Sequence, residues 1–204
     1  MTEKKDLFEN KSKNWDMSSL RVQNAKEIAD VILKNIKLAS NAKVMDFGAG
    51  TGLLSYFIAP AVGEIVAVDN SPSMLDEFRA KQDEFACDTD VLLLDLTTHD
   101  IDTKFDAIIS SMTIHHVQDI KLILAKFYSM LSSGGYIGIA DLDSEDGSFH
   151  DDNEGVFHFG FDRDELAKIA TEIGFKDIKF ETANEIKKPN ATYSVFCMTA
   201  RKDI

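Results

Sequence analysis

The chain has 204 residues, 44% of them hydrophobic and 28% charged, so it is long enough for one buried core and shows no bias toward disorder. Its 35 acidic and 22 basic side chains give a formal net charge of -13, which repels phosphate backbones and argues against a nucleic-acid partner. The charged N-terminal stretch has no signal-peptide core and no later run reaches the roughly 18 apolar residues of a membrane span, so we expect a cytoplasmic monomer or homodimer with no membrane partner.

Helical and strand patterns alternate along the chain. In chain order they predict a helix over 20–36, a strand over 43–47, a helix over 53–60, a strand over 64–68, a helix from 72, strands over 91–94 and 105–109, a helix over 120–131, a strand over 136–142, a helix between 162 and 174, and strands over 175–181 and 193–200.

Two features of this order predict the fold. The runs 91–94 and 105–109 are continuously apolar, as expected of central parallel strands that are covered on both faces. The last two strands flank a loop with Pro189, which suits an antiparallel hairpin. We therefore predict an α/β fold with a doubly wound, mostly parallel sheet of about seven strands and a C-terminal antiparallel hairpin.

A glycine turn follows the first predicted strand, where residues 46–52 read DFGAGTG. Glycines let the backbone turn tightly and approach a ligand closely. The dinucleotide pattern GxGxxG would need glycine at position 53, where Leu53 stands. Asp69 ends the second strand, where an acid can accept hydrogen bonds from both ribose hydroxyls. Turn and acid together are a stronger signal than either alone.

Five segments together resemble the class I S-adenosylmethionine-dependent methyltransferases, in their small-molecule branch. They are the glycine-turn segment 44–52, the acidic second-strand motif 66–69, the adenine-side motif 94–96, the fourth-strand segment 105–117 and the turn 133–136. The likeness runs from about residue 44 to residue 175, and the terminal hairpin also fits. It implies a Rossmann-like methyltransferase fold, with S-adenosyl-L-methionine as cofactor and S-adenosyl-L-homocysteine as product.

The resemblance implies a cofactor site at the ends of the strands. Gly48 and Gly50 would line the methionine moiety, Asp69 would hold the ribose, and Asp95 would accept from the adenine amino group. Carboxylates also suit a ligand that carries an ammonium and a sulfonium; the alternative is that these acids only cap helices or lie in solvent. The predicted cofactor-binding set is Asp46, Gly48, Ala49, Gly50, Gly52, Asp69, Asn70, Met74, Asp95, Leu96 and Ser111.

Two histidines follow the fourth strand, close to where the methyl group should emerge. Either His115 or His116 is a candidate catalytic base for an acceptor hydroxyl. The alternative is that one packs, the other bonds to backbone, and catalysis is achieved by desolvation and alignment. The predicted substrate pocket comprises Trp15, Met112, His115, Phe157 and His158.

The N-terminus and one acidic stretch lie outside these motifs. Residues 1–40 would form a lid segment and helix, and residues 41–204 the cofactor-binding domain, in one globular unit overall; Phe8 and Trp15 would either order over the ligand or pack on the domain. The acids of 141–152 lack the glycine position of a calcium loop, which favours a solvated acidic loop and no metal.

The negative evidence narrows the function. Residues 111–114 read SMTI, without the Asn/Asp-Pro-Pro-Tyr/Phe segment of enzymes that methylate amino nitrogens in nucleic-acid bases or protein amides, and without the cysteine of the covalent cytosine route. We predict direct SN2 transfer to a small molecule, with an oxygen, nitrogen or carbon acceptor left open. The alternatives are a non-catalytic cofactor-binding partner of another subunit and a nicotinamide-dependent oxidoreductase, against which Leu53 argues.

Cys87 and Cys197 match no metal or disulfide spacing and are interpreted as reduced packing residues.

Overall fold

The computed structural model describes residues 6–9 and 11–203. Within them, the α-helices are α1 (Ser19–Asn35), α2 (Leu53–Ile58), α3 (Pro72–Ala80), α4 (Ile120–Met130) and α5 (Arg163–Ile173). The strands are β1 (Lys43–Phe47), β2 (Glu64–Asp69), β3 (Asp88–Leu93), β4 (Phe105–Ser111), β5 (Leu131–Leu142), β6 (Lys176–Lys188) and β7 (Ala191–Arg201). Short 3-10 helices include Ser12–Met17 and Ile114–His116.

The strands form one seven-stranded sheet in the order β3-β2-β1-β4-β5-β7-β6. The first five strands are parallel, and β7 is antiparallel to both β5 and β6. The predicted doubly wound sheet with a C-terminal antiparallel hairpin is confirmed. The strand order reverses between β1 and β4, and ligands of such sheets bind at the carboxyl ends of the strands beside this point.

Two apolar layers cover the sheet. One layer, with Ile28 and Ile32 of α1 and Ile58 of α2, packs on one face; the other, with Phe127 of α4 and Leu166 of α5, packs on the opposite face. Burial of such side chains contributes about 1.5–3 kcal/mol each. Central strands that are covered on both faces are mostly apolar, and residues 107–109 in the middle of β4 are apolar and fully buried.

Local signals in the sequence set the helix ends. The side chains of Ser18, Ser71, Asp119 and Asp162 accept hydrogen bonds from backbone N–H groups of the first turns of α1, α3, α4 and α5. Gly174 ends α5 in the left-handed region with φ 119°. Serine and aspartate are typical capping residues, and Ser18 rather than its neighbour Ser19 caps α1.

The structure corrects the sequence prediction for β3. This strand pairs only with β2 at the edge of the sheet, although its apolar run predicted a central position. Leu92 packs against the core, whereas Leu93 is 52% exposed. The sequence of a strand shows how apolar it is, but its position in the sheet depends on which distant segments pair with it. The end of α4 was also wrong by one residue, because Leu131 already pairs with Phe105 as the start of β5.

Both cysteines are free thiols, and burial raises the pKa of Cys197 to about 12, in keeping with a packing role. Across residues 6–9 and 11–203, the helices are all too short or too polar to cross a membrane.

Candidate functional site

The glycine turn links β1 to α2 and places its three glycines in the left-handed region. The φ angles are 68° at Gly48, 55° at Gly50 and 86° at Gly52. A Cβ at Gly48 would lie 2.1 Å from Cγ2 of Thr113, just after β4, whereas a Cβ at Gly50 would meet nothing closer than Sδ of Met74 at 3.9 Å. Gly48 is therefore required for close packing of the turn against β4, and the space beside Gly50 stays open to a ligand.

Asp69 joins this turn to β2. Its Oδ2 accepts from the N–H of Gly50 at 2.8 Å, and its Oδ1 accepts from the N–H of Ser71 at 2.8 Å. Burial raises the pKa of Asp69 above its ordinary value, and these backbone bonds oppose that rise. The sequence predicted that the turn and this acid act together, and the structure brings them into direct contact. Asn70, the next residue, is exposed at the strand end.

Asp46 lies behind the turn and is almost fully buried. Its Oδ2 accepts from Oγ of Ser55 at 2.6 Å. Burial raises the pKa of Asp46 to about 7, the Ser55 bond opposes this, and the negative charge of Asp69 adds to it. The carboxyl groups of Asp46 and Asp69 thus both adjoin the turn, and burial raises the pKa of each.

The predicted adenine side lies beside an open groove of about 1010 Å³ at the carboxyl edge of the sheet. Asp95 Oδ1 accepts from the N–H of Thr97 at 3.1 Å and from its hydroxyl at 2.5 Å. Leu96 is buried in the core next to it. The groove is lined by residues predicted for the cofactor, for catalysis or for the substrate, namely Asn70, Asp95, His116, Phe157 and His158.

The end of β4 carries a strained residue. Met112 has φ 54°, a value rarely adopted by a non-glycine residue, and its N–H donates to the carbonyl of Ala140 at 2.8 Å. Ser111 precedes it as the last residue of the strand. Such strain often accompanies functional sites. Met112 packs, partly buried, against the core layer of α1 and α2, whereas Met74 and Ala49 are buried near the turn.

The N-terminal segment lies across this edge of the sheet. Asp6 accepts from the N–H of Ser73 at 3.1 Å and from the hydroxyl of Ser71 at 2.9 Å, at the start of α3. Phe8 packs edge-on against Trp15, with ring centroids 6.0 Å apart, and against His116 at 5.9 Å. The same segment reaches the turn again at Asp16, which accepts from the hydroxyl of Thr51 at 2.5 Å and forms an ion pair with Lys81.

The two candidate bases occupy different surroundings. His115 is buried, and its Nδ1 lies 2.7 Å from Oδ1 of Asp141. His116 donates from Nδ1 to the carbonyl of Gly155 at 2.8 Å, and burial together with the neighbouring His115 lowers its pKa. Both histidines are therefore held by hydrogen bonds, one to a carboxylate and the other to a neutral carbonyl.

The loop between β5 and α5 is fastened to this histidine pair. The N–H groups of Phe157 and His158 both donate to the carbonyl of His115, at 3.0 and 3.2 Å. His158 Nε2 donates to the carbonyl of Val117 at 3.0 Å. Phe157 is 55% exposed at the groove. Of the predicted substrate-pocket residues, the structure thus gathers His115, Phe157 and His158, while Trp15 contacts Phe8, which packs against His116.

The sequence did not predict that two further residues, Asp141 and His150, contact the histidine pair formed by His115 and His116. Asp141 is fully buried beneath His115, so the expectation of a solvated acidic loop is wrong for this residue. His150 brings its ring to 4.9 Å from that of His115 and 5.9 Å from that of His116. Their positions, 26 and 35 residues along the chain from His115, match no short motif. Within the described part of the chain, no group of three or more histidine, cysteine or acidic side chains has the arrangement to hold a metal ion.

Comparisons with known proteins agree with this geometry. The model of one protein family, described as a methyltransferase domain, matches residues 45–137. An uncharacterized methyltransferase of Schizosaccharomyces pombe is 30% identical over 164 residues, which are 76% of this chain and 54% of the relative. The malonyl-[acyl-carrier protein] O-methyltransferase of Acetivibrio thermocellus is 29% identical over 151 residues, 69% of this chain and 50% of the relative.

The chain therefore spans about half the length of the curated relatives it matches. Among solved structures, phosphoethanolamine N-methyltransferase 2 of Haemonchus contortus in complex with S-adenosyl-L-methionine has a TM-score of 0.67 at 17% identity, covering 97% of this chain and 60% of that chain. At this identity the likeness shows the fold. The family model and the relatives show that the chain contains a methyltransferase domain, and its motifs and topology are those of the class I methyltransferases, whose cofactor is S-adenosylmethionine.

Proposed function

We propose that this chain transfers the methyl group of S-adenosylmethionine to a small-molecule acceptor bound at the carboxyl edge of the sheet. One observation carries the proposal: the hydrogen bond from Gly50 to Asp69, which unites a glycine turn of non-dinucleotide spacing with a ribose-binding acid. The strained end of β4 at Met112 and the histidines that follow it lie where the methyl group would leave the cofactor.

The cofactor would extend along the ends of β1, β2 and β3. The methionine part would lie at Gly48 and Gly50, with its ammonium attracted to the buried carboxyl of Asp46. The ribose hydroxyls would donate to the carboxylate of Asp69, above its bond to Gly50, and the adenine would enter the groove beside Asp95. An extended ligand in this orientation contacts the ends of three neighbouring strands, which is the usual arrangement in a doubly wound sheet.

A small acceptor fits the charge and the size of the site. The net charge of -13 disfavours a phosphate backbone, and the groove of about 1010 Å³ is of the size that holds one cofactor and one small molecule. Two of the similar proteins are named for an O-methylation and an N-methylation, so their names leave the acceptor atom open.

The segment before α1 would act as a lid over the bound cofactor. Its contacts run from α3 at Asp6, past His116 at Phe8, to the glycine turn at Asp16. A segment fastened on both sides of the site can exclude water from the sulfonium, which favours methyl transfer to the acceptor.

Isothermal calorimetry tests the cofactor assignment. We expect micromolar binding of S-adenosylmethionine and S-adenosylhomocysteine, and loss of that binding in Asp69→Ala. Binding of NADH, with none for either sulfur compound, would overturn the proposal. A screen of metabolite pools with radiolabelled methyl groups then tests catalysis; cofactor binding without any labelled acceptor would favour a non-catalytic partner subunit.

A further inference from the structure

The Asp141 carboxylate fixes which nitrogen of His115 carries a proton. Asp141 Oδ1 lies 2.7 Å from Nδ1 of His115 and also accepts from the N–H of Leu142 at 2.8 Å. Its Oδ2 accepts from the backbone N–H of His115 at 3.2 Å. A carboxylate in this position only accepts, so Nδ1 of His115 donates and Nε2 keeps a free lone pair. Asp141 thereby fixes the orientation of the His115 ring.

The free nitrogen of His115 belongs to a cluster of three imidazoles. His150, from the loop after β5, and His116 both pack against His115, with ring centroids 4.9 and 4.2 Å from it. Nε2 of His115 and Nε2 of His150 are buried, and neither has a hydrogen-bond partner within residues 6–9 and 11–203. Buried polar atoms almost always have partners, so these two nitrogens are the positions in the cluster where a polar ligand would bind.

One carboxylate and two lysines act electrostatically on the cluster. Asp141 is the carboxylate that contacts it, while Lys11 raises the positive potential at His116 and Lys188 does so at His150. Burial, the other two imidazoles and Lys188 lower the pKa of His150 to about 4, so His150 is neutral at physiological pH. The lone pair on Nε2 of His115 accepts a hydrogen bond, so a ligand that binds there must donate, whereas a neutral His150 can accept or donate according to its tautomer.

We propose that His115, oriented by Asp141, is the catalytic base and that His150 is the second acceptor-binding residue, so that the substrate carries an O–H or N–H on the atom that is methylated. This inference rests on the proposed methyltransferase function. It assigns to His150 a role that no sequence motif suggested, and it selects His115 over His116, whose hydrogen bond goes to the neutral carbonyl of Gly155.

The reaction balances without any further reagent. The acceptor oxygen or nitrogen forms a bond to the methyl carbon as the carbon–sulfur bond breaks, and the sulfonium leaves as neutral S-adenosylhomocysteine. The proton of the acceptor passes to Nε2 of His115, and the imidazolium that forms is stabilised by Asp141. The proton is released to solvent after the product leaves. An acceptor without such a proton, a thioether or a tertiary amine, would leave Nε2 of His115 unpaired.

Matched pairs of acceptor test the proposal on the intact chain. The probes are phenol and aniline, which carry the proton, and anisole and N,N-dimethylaniline, which do not. A third probe, 4-nitrophenol at mildly alkaline pH, is already ionised. We expect methylation of phenol or aniline only, and in His115→Asn a loss of about 100- to 10,000-fold in turnover on these. The loss on 4-nitrophenol should stay below about tenfold, because no base is required there.

Variants of the neighbours separate catalysis from folding. In Asp141→Asn the amide can donate to Nδ1, which reverses the tautomer of His115, and nitrogen NMR of the labelled histidine should show the proton on Nε2 together with a comparable loss on phenol. His150→Asn should raise KM more than it lowers kcat. His99→Asn is the matched control, since His99 is exposed and outside the cluster.

The outcomes decide the question. S-Adenosylhomocysteine should bind every variant with an affinity within about threefold of the original, which shows that the fold and the cofactor site persist. Equal losses on phenol and on ionised 4-nitrophenol in His115→Asn would assign a structural role to His115 and overturn the proposal. The proposal is also overturned if only the acceptors without a proton are methylated, or if a preparation that binds the cofactor methylates none of the probes. If the original protein does not bind the cofactor, the methyltransferase function itself is rejected.

Discussion

Asp69 Oδ2 accepts a hydrogen bond from the N–H of Gly50 at 2.8 Å, so the acid that ends β2 is joined directly to the turn that follows β1. The bond holds the carboxylate at the place where two neighbouring strands open toward the ligand. Since Gly50 lacks a side chain and the nearest atom to a Cβ there is 3.9 Å away, the space above this bond is free for a ribose.

Replacing Asp69 tests this relationship. We expect Asp69→Ala to weaken S-adenosylhomocysteine binding about 10- to 100-fold or more, because a hydrogen bond to a charged group contributes about 1.5–3 kcal/mol. Calorimetry measures the loss. Asp76→Ala is the matched control, since Asp76 lies exposed on α3 and should leave the affinity unchanged. Equal affinities for the two variants would remove Asp69 from the cofactor site.

The two glycines of the turn should respond differently to a methyl group. Both lie in the left-handed region, where a side chain costs about 1–2 kcal/mol. In Gly50→Ala only this penalty applies to the folded state. In Gly48→Ala the new Cβ also overlaps Thr113, whose Cγ2 would be 2.1 Å away. Chemical denaturation should therefore show a loss of stability in Gly48→Ala at least about twice that in Gly50→Ala.

The affinity for the cofactor is a second measurement that separates the effects of these two substitutions. The methyl group of Gly50→Ala points into the open space, so this variant should bind S-adenosylhomocysteine more weakly even though it folds. Identical stabilities for the two variants would mean that Thr113 moves away from the turn at little cost, and the close packing of β4 against the turn would not be required.

Local chemistry made most of the fold predictable. The caps at Ser18, Ser71, Asp119 and Asp162 and the left-handed Gly174 act on residues within one helical turn, so a short window of sequence contains the whole signal. The edge position of β3 was not predictable in this way. A run of leucines is compatible with a central or an edge strand, and the choice depends on which partner forms hydrogen bonds.

The same limit explains which parts of the site were found. The turn and Asp69 were predictable because strand ends of a doubly wound sheet meet at one edge. The pairing of Asp141 with His115 depends on the register between β4 and β5, in which Ser111 lies beside Ala140. His150 reaches the cluster through an irregular loop, whose path follows from many backbone hydrogen bonds rather than from periodicity.

The buried carboxyl of Asp46 should make stability depend on pH. Burial raises its pKa from 3.8 to about 7 in the folded state, so the folded protein holds this proton more tightly than the unfolded chain. The stabilising effect is fully present below about pH 4 and is lost as the pH rises to about 7, by roughly 4 kcal/mol at most. Asp46→Asn keeps a hydrogen-bonding group for Ser55 and does not titrate.

Denaturation series at several pH values check this prediction. The free energy of unfolding of Asp46→Asn minus that of the original protein should increase between about pH 4 and pH 7 and then level off. Asp90→Asn, on the exposed side of β3, is the control and should give no such increase. Parallel curves for Asp46→Asn and the original protein would mean that the pKa of Asp46 in the fold is not raised above its value in the unfolded chain.

The N-terminal segment offers a final test through Trp15, the single tryptophan of the chain. Trp15 packs against Phe8 and lies under the guanidinium of Arg21, 3.9 Å from the ring centroid. If the segment covers the cofactor, binding of S-adenosylhomocysteine should change the fluorescence of Trp15. Phe8→Ala removes the contact with His116 and should speed cofactor dissociation about tenfold, because affinity differences within one site arise mostly in the dissociation rate.

Met17→Ala provides the control within the same segment, since Met17 is 80% exposed and should leave both the fluorescence change and the dissociation rate as they were. Stopped-flow fluorescence separates the two steps of binding and release. A dissociation rate that is the same in Phe8→Ala and in Met17→Ala would mean that the contacts of Phe8 serve only to pack the N-terminus on the domain. A selective increase in Phe8→Ala, with thermal stability unchanged, would instead assign the segment a role in retaining the cofactor.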